Sequence, residues 1–262
     1  MKGYDIIILA GQSNAAGCGR GEAEEWIPDS DILQMTAPKN AFIEDGLVKV
    51  EFFDEPFEID VADERIAEED KVRDLSLHFS KLYKESGRLE TDRKLLILRC
   101  AIGGTGFLQG NWHEQGNLYL KMLEMIDYAL NLEGENRLVA MLWHQGEDDI
   151  MRNNPPENYE KQLGYLIDSV RERYNEPKLP FITGEFVEDW SSAYIFPERI
   201  TGLVGAIKKA LSARENTAYV SSKGLLSNRQ AGAHETDDIH FCKKSIDEFG
   251  LRYFNAYKEM QK

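Results

Sequence analysis

The chain reads as an α/β protein built on a parallel sheet with helices on both faces. Three observations lead there. Five short apolar runs recur along the sequence, segments with helical spacing alternate with them, and the runs are apolar nearly throughout. Near-continuous apolar strands are those covered on both faces, and strand–helix alternation is the mark of parallel pairing.

The strands are expected at residues 5–10, 95–101, 138–143, 180–185 and 217–221. Each is β-branched or aromatic in part and ends in glycine or polar residues. Helical stripes fall between them. Leu75, Phe79, Leu82 and Tyr83 mark the first, and Leu118, Met122, Met125, Ile126 and Ala129 the second. Tyr159, Leu163, Leu166, Ile167 and Val170 mark the third, behind the helix-starting Asn154-Pro155-Pro156. Ile200, Leu203, Val204, Ile207 and Leu211 form the fourth, and Ile246, Phe249, Leu251, Tyr253 and Phe254 the last. The acidic residues 51–74 follow no clear period and are expected as a surface excursion bordering the site. No repeat or low-complexity tract divides the chain, so residues 1–262 are expected to form a single domain.

A net charge of −15 argues against nucleic acid and against anionic membranes, both of which call for a basic surface. It also disfavours a polyanionic substrate unless a local basic patch compensates. Cys18, Cys100 and Cys242 are too few and too odd in number for a disulfide framework. No leader-like stretch precedes the first strand and no apolar run could span a bilayer. A reducing, cytoplasmic setting is the expectation.

The chemistry sits at strand ends. Gly11-Gln12-Ser13-Asn14 follows the first strand at once, where this fold class places reactive groups, so Ser13 is the candidate nucleophile. Of five histidines, His240 follows Asp237 by three residues, a spacing that lets the carboxylate reach the imidazole Nδ1–H. Such a pair equally suits an acid-decorated helix start. Cys100-Ala101-Ile102-Gly103-Gly104-Thr105 offers backbone N–H groups at the end of the second strand, and Gln145 offers a side-chain amide at the end of the third.

Taken together, Gly11-Gln12-Ser13-Asn14, Gly103-Gly104-Thr105, Trp143-His144-Gln145-Gly146-Glu147-x-Asp149 and Asp237-x-x-His240 resemble the SGNH-type hydrolases. The chain is most similar to their carbohydrate O-acetylesterase branch, which includes sialate O-acetylesterases and acetylxylan esterases. The resemblance implies a flavodoxin-like three-layer α/β/α sandwich around a parallel five-stranded sheet, with no metal or organic cofactor. It implies Ser13 as nucleophile, His240 as base and Asp237 as its orienting acid. The N–H groups of Ser13 and Gly104, with the Gln145 side chain, would form the oxyanion hole, Gly103 serving if the loop register differs by one. Gln12, Asn14, Thr105 and Glu147 are the candidate substrate contacts. Glu147 could instead hold the Gln145 loop, the preferred role, or assist His240. Ala15, where the family usually has methionine, His144 and Gly106-Phe107-Leu108 depart from the pattern around the acyl and sugar positions.

The expected substrate is a small acetylated carbohydrate, of xylo-oligosaccharide or sialic acid type. Arg20 is read as a surface ion-pair partner, with Arg99 the other cation available to a sugar acid. His113 beside Trp112 suits either a sugar platform or an exposed loop. The rival readings are a lipase- or thioesterase-like hydrolase of other short acyl esters, and a non-catalytic carbohydrate-binding protein.

Overall fold

The computed structural model describes residues 1–262. The chain opens with β1 (Gly3–Gly11) and a one-turn helix α1 (Ser13–Ala16). Six short strands follow: β2 (Ile32–Thr36), β3 (Lys39–Glu44), β4 (Leu47–Phe52), β5 (Glu58–Val61), β6 (Arg65–Ala67) and β7 (Asp70–Val72). Then come α2 (Leu75–Glu85), β8 (Arg93–Arg99), α3 (Asn117–Leu130), β9 (Arg137–His144), α4 (Glu147–Met151) and α5 (Pro156–Arg173). The last elements are β10 (Phe181–Gly184), α6 (Glu188–Ala193), α7 (Pro197–Ser212), β11 (Thr217–Val220) and α8 (Lys243–Met260).

The main sheet runs β11-β10-β9-β1-β8-β2-β5. All neighbours are parallel except the β2–β5 pair. The five expected strands are present, as β1, β8, β9, β10 and β11. The expected count of five is corrected to seven. Gln34 and Thr36 break the apolar run of β2, and β5 alternates Glu58 and Asp60 with Ile59 and Val61, a charged edge strand. Residues 51–74, expected to be irregular, thus hold β5 and the β6–β7 hairpin.

β1 is the middle of the sheet, with Ile7 beside Ile97 on one side and Ala140 on the other. Helices cover both faces, giving three layers. On one face α2 and α8 pack through Phe79 and Phe254, edge to face at 5.6 Å. On the other, α3 meets α5 where Tyr119 donates to Ser169 at 2.9 Å, and α5 lies along α7. The helical stripes expected from the sequence are the faces turned to the sheet. A single apolar cluster of 61 buried residues joins both layers. No helix is long and apolar enough to cross a membrane.

The amino ends of the strands are tied by Asp5, fully buried, which accepts from Tyr83, Arg93 and Arg137 at 2.7 Å each. The carboxyl ends are left for chemistry. The chain leaves β1 towards β8 and later crosses to β9 on the opposite side, so a crevice opens at the end of β1.

Candidate active site

β1 ends against β9 with no room to spare. A β-carbon built on Gly11 would sit 2.1 Å from the His144 carbonyl oxygen, and its φ of 129° disfavours any side chain. The Gln12 N–H donates to that same carbonyl at 2.9 Å. Ser13 therefore emerges at a fixed point, between the ends of β8 and β9.

His240 meets it there. His240 Nε2 lies 2.8 Å from Ser13 Oγ, and His240 Nδ1 lies 2.8 and 3.0 Å from the two oxygens of Asp237. Burial pushes the Asp237 carboxyl up, but the His240 imidazole, the Asn228 amide and the His240 N–H together hold it below the usual carboxylate range. Asn228, absent from the sequence expectations, donates to Asp237 Oδ2 at 2.8 Å and to the Cys18 carbonyl at 2.9 Å. It lies in an irregular loop with no motif around it, and only folding brings it here. Asp238 points elsewhere, 3.4 Å from Arg229.

The glycine turn after β8 closes one side of Ser13. A β-carbon on Gly103 would lie 3.4 Å from Ser13 Cβ. Gly104 has φ of 68°, and Val48 from the β3–β4 hairpin lies over it. Neither glycine N–H donates to a backbone carbonyl, so both remain available to a ligand oxygen.

Gln145, expected as an oxyanion donor, has its amide bound to protein groups in this structure. It is 1% exposed, and its Nε2 already faces Asp149 Oδ2 at 2.7 Å, Gln12 Oε1 at 3.2 Å and the Thr105 carbonyl at 3.2 Å. Two amide hydrogens against three acceptors leave none over. The Asp149 carboxylate at 2.7 Å fixes the amide's orientation, because a flipped amide would set oxygen against oxygen there. Gln145 is a brace between the ends of β1 and β9 and the turn after β8. Asp149 anchors that brace. It accepts from Phe107 N–H, Leu108 N–H, Gln145 and Asn154 at 2.7–3.0 Å. Burial pushes its carboxyl above the ordinary range while those four donors pull it back. The available signal was an acid in the first turn of α4, four residues after Gln145.

The four candidate substrate contacts are likewise held by protein groups, as the loop-holding role preferred for Glu147 requires. Gln12, Asn14, Thr105 and Glu147 are each at most 2% exposed. Gln12 accepts from Gln145 and from the Asp148 N–H. Asn14 donates to Glu147 at 2.8 Å and to the Ile239 carbonyl, and accepts from Phe241 N–H at 3.1 Å, so it stitches the nucleophile loop to the histidine loop. Thr105 donates to the Ile102 carbonyl and accepts from Trp112. Glu147 also lies 3.4 Å from His144 Nε2. Burial pushes its carboxyl up, yet His144, its own N–H and Asn14 hold it below the usual range. Trp112 is fully buried and forms no sugar platform. Arg20 is bound to Glu68 and Asp70. No group of three or more His, Cys, Asp and Glu side chains is arranged to hold a metal. A surface hollow of about 830 Å³ beside Trp26 and Lys84 holds none of these residues.

A probable carbohydrate esterase of Arabidopsis thaliana is 27% identical over 258 residues, covering 96% of this chain and 89% of the plant protein. Among solved structures, NanS superposes with a TM-score of 0.76 at 17% identity, over 99% of this chain and 98% of its own. A carbohydrate acetylesterase from Xanthomonas citri superposes with a TM-score of 0.62 at 17% identity, over 98% of this chain and 56% of its own. These two likenesses are of fold. The family model described as carbohydrate esterase, sialic acid-specific acetylesterase, matches residues 3–259. The chain belongs to this family of carbohydrate esterases.

Proposed function

We propose that the protein is a serine esterase that removes O-acetyl groups from carbohydrates through an acetyl-enzyme, with residues 1–262 acting as one domain. The observation that carries the reading is the unbroken chain from Ser13 Oγ through His240 to Asp237, each link at 2.8 Å. His240 Nε2 takes the hydroxyl proton as Ser13 Oγ attacks the acetyl carbonyl carbon. Asp237 holds the Nδ1–H and stabilises the imidazolium. The tetrahedral oxyanion faces the N–H groups of Ser13 and Gly104, with Gly103 as the alternative donor. On collapse the sugar hydroxyl leaves with the proton from His240. Water then loses a proton to His240, attacks the acetyl-serine and releases acetate.

The family description and the plant relative support carbohydrate as the alcohol portion. Three free thiols suit a reducing, cytoplasmic setting. The test is acetate release by wild type and Ser13→Ala on p-nitrophenyl acetate and a panel of O-acetylated sugars. Release by wild type alone, with an acetyl group trapped on Ser13 after rapid quenching, is the expected result. Equal release by Ser13→Ala would overturn the mechanism. A sharp fall in rate from acetyl to butyryl esters would separate the reading from a lipase-like one.

A further inference from the structure

The β3–β4 hairpin stands apart from the main sheet, yet it reaches the glycine turn beside the nucleophile. Asp45 and Gly46, with φ of 52° and 74°, make its two-residue turn, and Glu44 pairs with Leu47 across it. Just past that turn, Val48 lies against Gly104, where a β-carbon would come within 2.9 Å of Val48 Cγ2.

A single side chain ties these parts together. Gln109, half-buried, donates from Nε2 to the Gly104 carbonyl and to Asp148 Oδ2, each at 2.7 Å. Its Oε1 accepts from the Val48 N–H at 3.0 Å. A flipped amide would set oxygen against two acceptors, so the orientation is fixed. Asp148 in turn accepts from Arg152 Nε at 2.9 and 3.0 Å, and Arg152 Nη2 donates to the Gly46 carbonyl at 2.7 Å. The contacts close a ring from Val48 through Gln109, Asp148 and Arg152 to Gly46, two residues back along the hairpin. The bond from Gln109 to Gly104 carries the hold of that ring to the active site.

Gly104 needs such a hold. Its φ of 68° is one of several conformations open to glycine, and Gly103 before it is as free. The peptide bearing the Gly104 N–H lies between these two residues. No backbone N–H donates to the Gly104 carbonyl, and Gln109 supplies the missing donor. Hydrogen bonds weaken steeply when misaligned, so a donor peptide free to rock would serve an oxyanion poorly.

We infer that Gln109 is a positioning residue for ester cleavage: it fixes the Gly104 peptide with its N–H facing the developing oxyanion, and the β3–β4 hairpin buttresses it through Asp148 and Arg152. The inference rests on the esterase reading above. Gln109 is bonded to neither Ser13 nor His240 and acts through Gly104. An effect felt only as charge develops on the carbonyl oxygen lowers kcat and leaves KM in place.

The experiment measures kcat, KM and the pH dependence of kcat/KM on p-nitrophenyl acetate. It compares wild type, Gln109→Ala, Gln109→Met, Arg152→Ala and the double variant Gln109→Met/Arg152→Ala. Methionine keeps the bulk of the side chain and drops its hydrogen bonds. Outright loss of an oxyanion donor costs about 10²–10³-fold, so a donor left in place but unsteadied should cost about 10–100-fold in kcat. KM should stay within about threefold, and the alanine and methionine variants should fall alike. Arg152→Ala, one contact further out, should lower kcat by about threefold alone and by less in the Gln109→Met background, because both act through one ring. The pH midpoint should not move, since His240 and Asp237 keep their contacts.

A kcat for Gln109→Met within about twofold of wild type would overturn the inference and leave the esterase reading standing. A shifted pH midpoint in Gln109→Met would also overturn it, by showing a disturbance of the whole site. If Gln109→Ala does not fold, Gln109→Met and Arg152→Ala decide. If wild type cleaves neither p-nitrophenyl acetate nor any acetylated sugar, the esterase reading falls and this inference with it.

Discussion

Replacing Asp149 by alanine tests whether the site is held by a buried carboxylate and not by the motif residues alone. Asp149 is fully buried and satisfies four donors from three segments: the turn after β8, the end of β9, and the loop before α5. Asp149→Ala strands all four. A buried donor without a partner costs about 1–3 kcal/mol, which sets a ceiling of roughly 12 kcal/mol. Water entering the vacated space recovers part of this, so the expected loss is about 3–5 kcal/mol, the usual cost of breaking a buried charged cluster. In a domain of this size each kcal/mol moves Tm by about 2–4 °C, giving a fall of roughly 6–20 °C. Asp149→Asn keeps one acceptor oxygen and should fall between the variant and wild type. The assay is thermal unfolding followed by near-ultraviolet circular dichroism, repeated in urea. A Tm within about 2 °C of wild type for Asp149→Ala would refute the assignment of Asp149 as the anchor.

Three further outcomes are expected. Gln145→Ala should lower kcat by less than about tenfold while lowering Tm. A loss of about 10²–10³-fold in kcat with an unchanged Tm would restore it as an oxyanion donor. Asp237→Asn should lower kcat by roughly 10⁴-fold, read by steady-state kinetics on p-nitrophenyl acetate, because the imidazole loses its orienting charge. The same variant carries a pH signature. The folded-state pKa of Asp237 lies below its ordinary value of 3.8, so its stabilising contribution is present above that value and is lost as pH falls through the lower folded-state one. The Tm gap between wild type and Asp237→Asn should be full at pH 7 and close under strong acid; a gap that persists there would contradict the assignment.

The interior of the fold was legible in the sequence where burial alone decides it. Residues 6–10 and 138–143 are apolar because both faces are covered, the pattern of a fully buried strand. β5 was hidden because an edge strand asks for little apolar surface and tolerates Glu58 and Asp60, and β2, one strand in, because Gln34 and Thr36 interrupt its apolar run. At the site, Ser13, Asp237 and His240 stand out because their spacing and position carry the chemistry, and the structure brings them together. What the sequence did not disclose was direction. Gln145 could face a ligand or a neighbour, and the choice depends on Asp149 and Tyr159 holding its two ends.

The central place of β1 has a consequence for how the chain folds. This strand is synthesised before both of its neighbours, which begin only at Arg93 and Arg137. Until then Ile6, Ile7 and Ile8 have no parallel partner on either edge, and closing both pairings requires long loops to be ordered first. The nascent chain thus carries a bare, sticky ribbon through the first half of its translation. Its yield in a cell should depend on holdase chaperones more than its final stability would suggest.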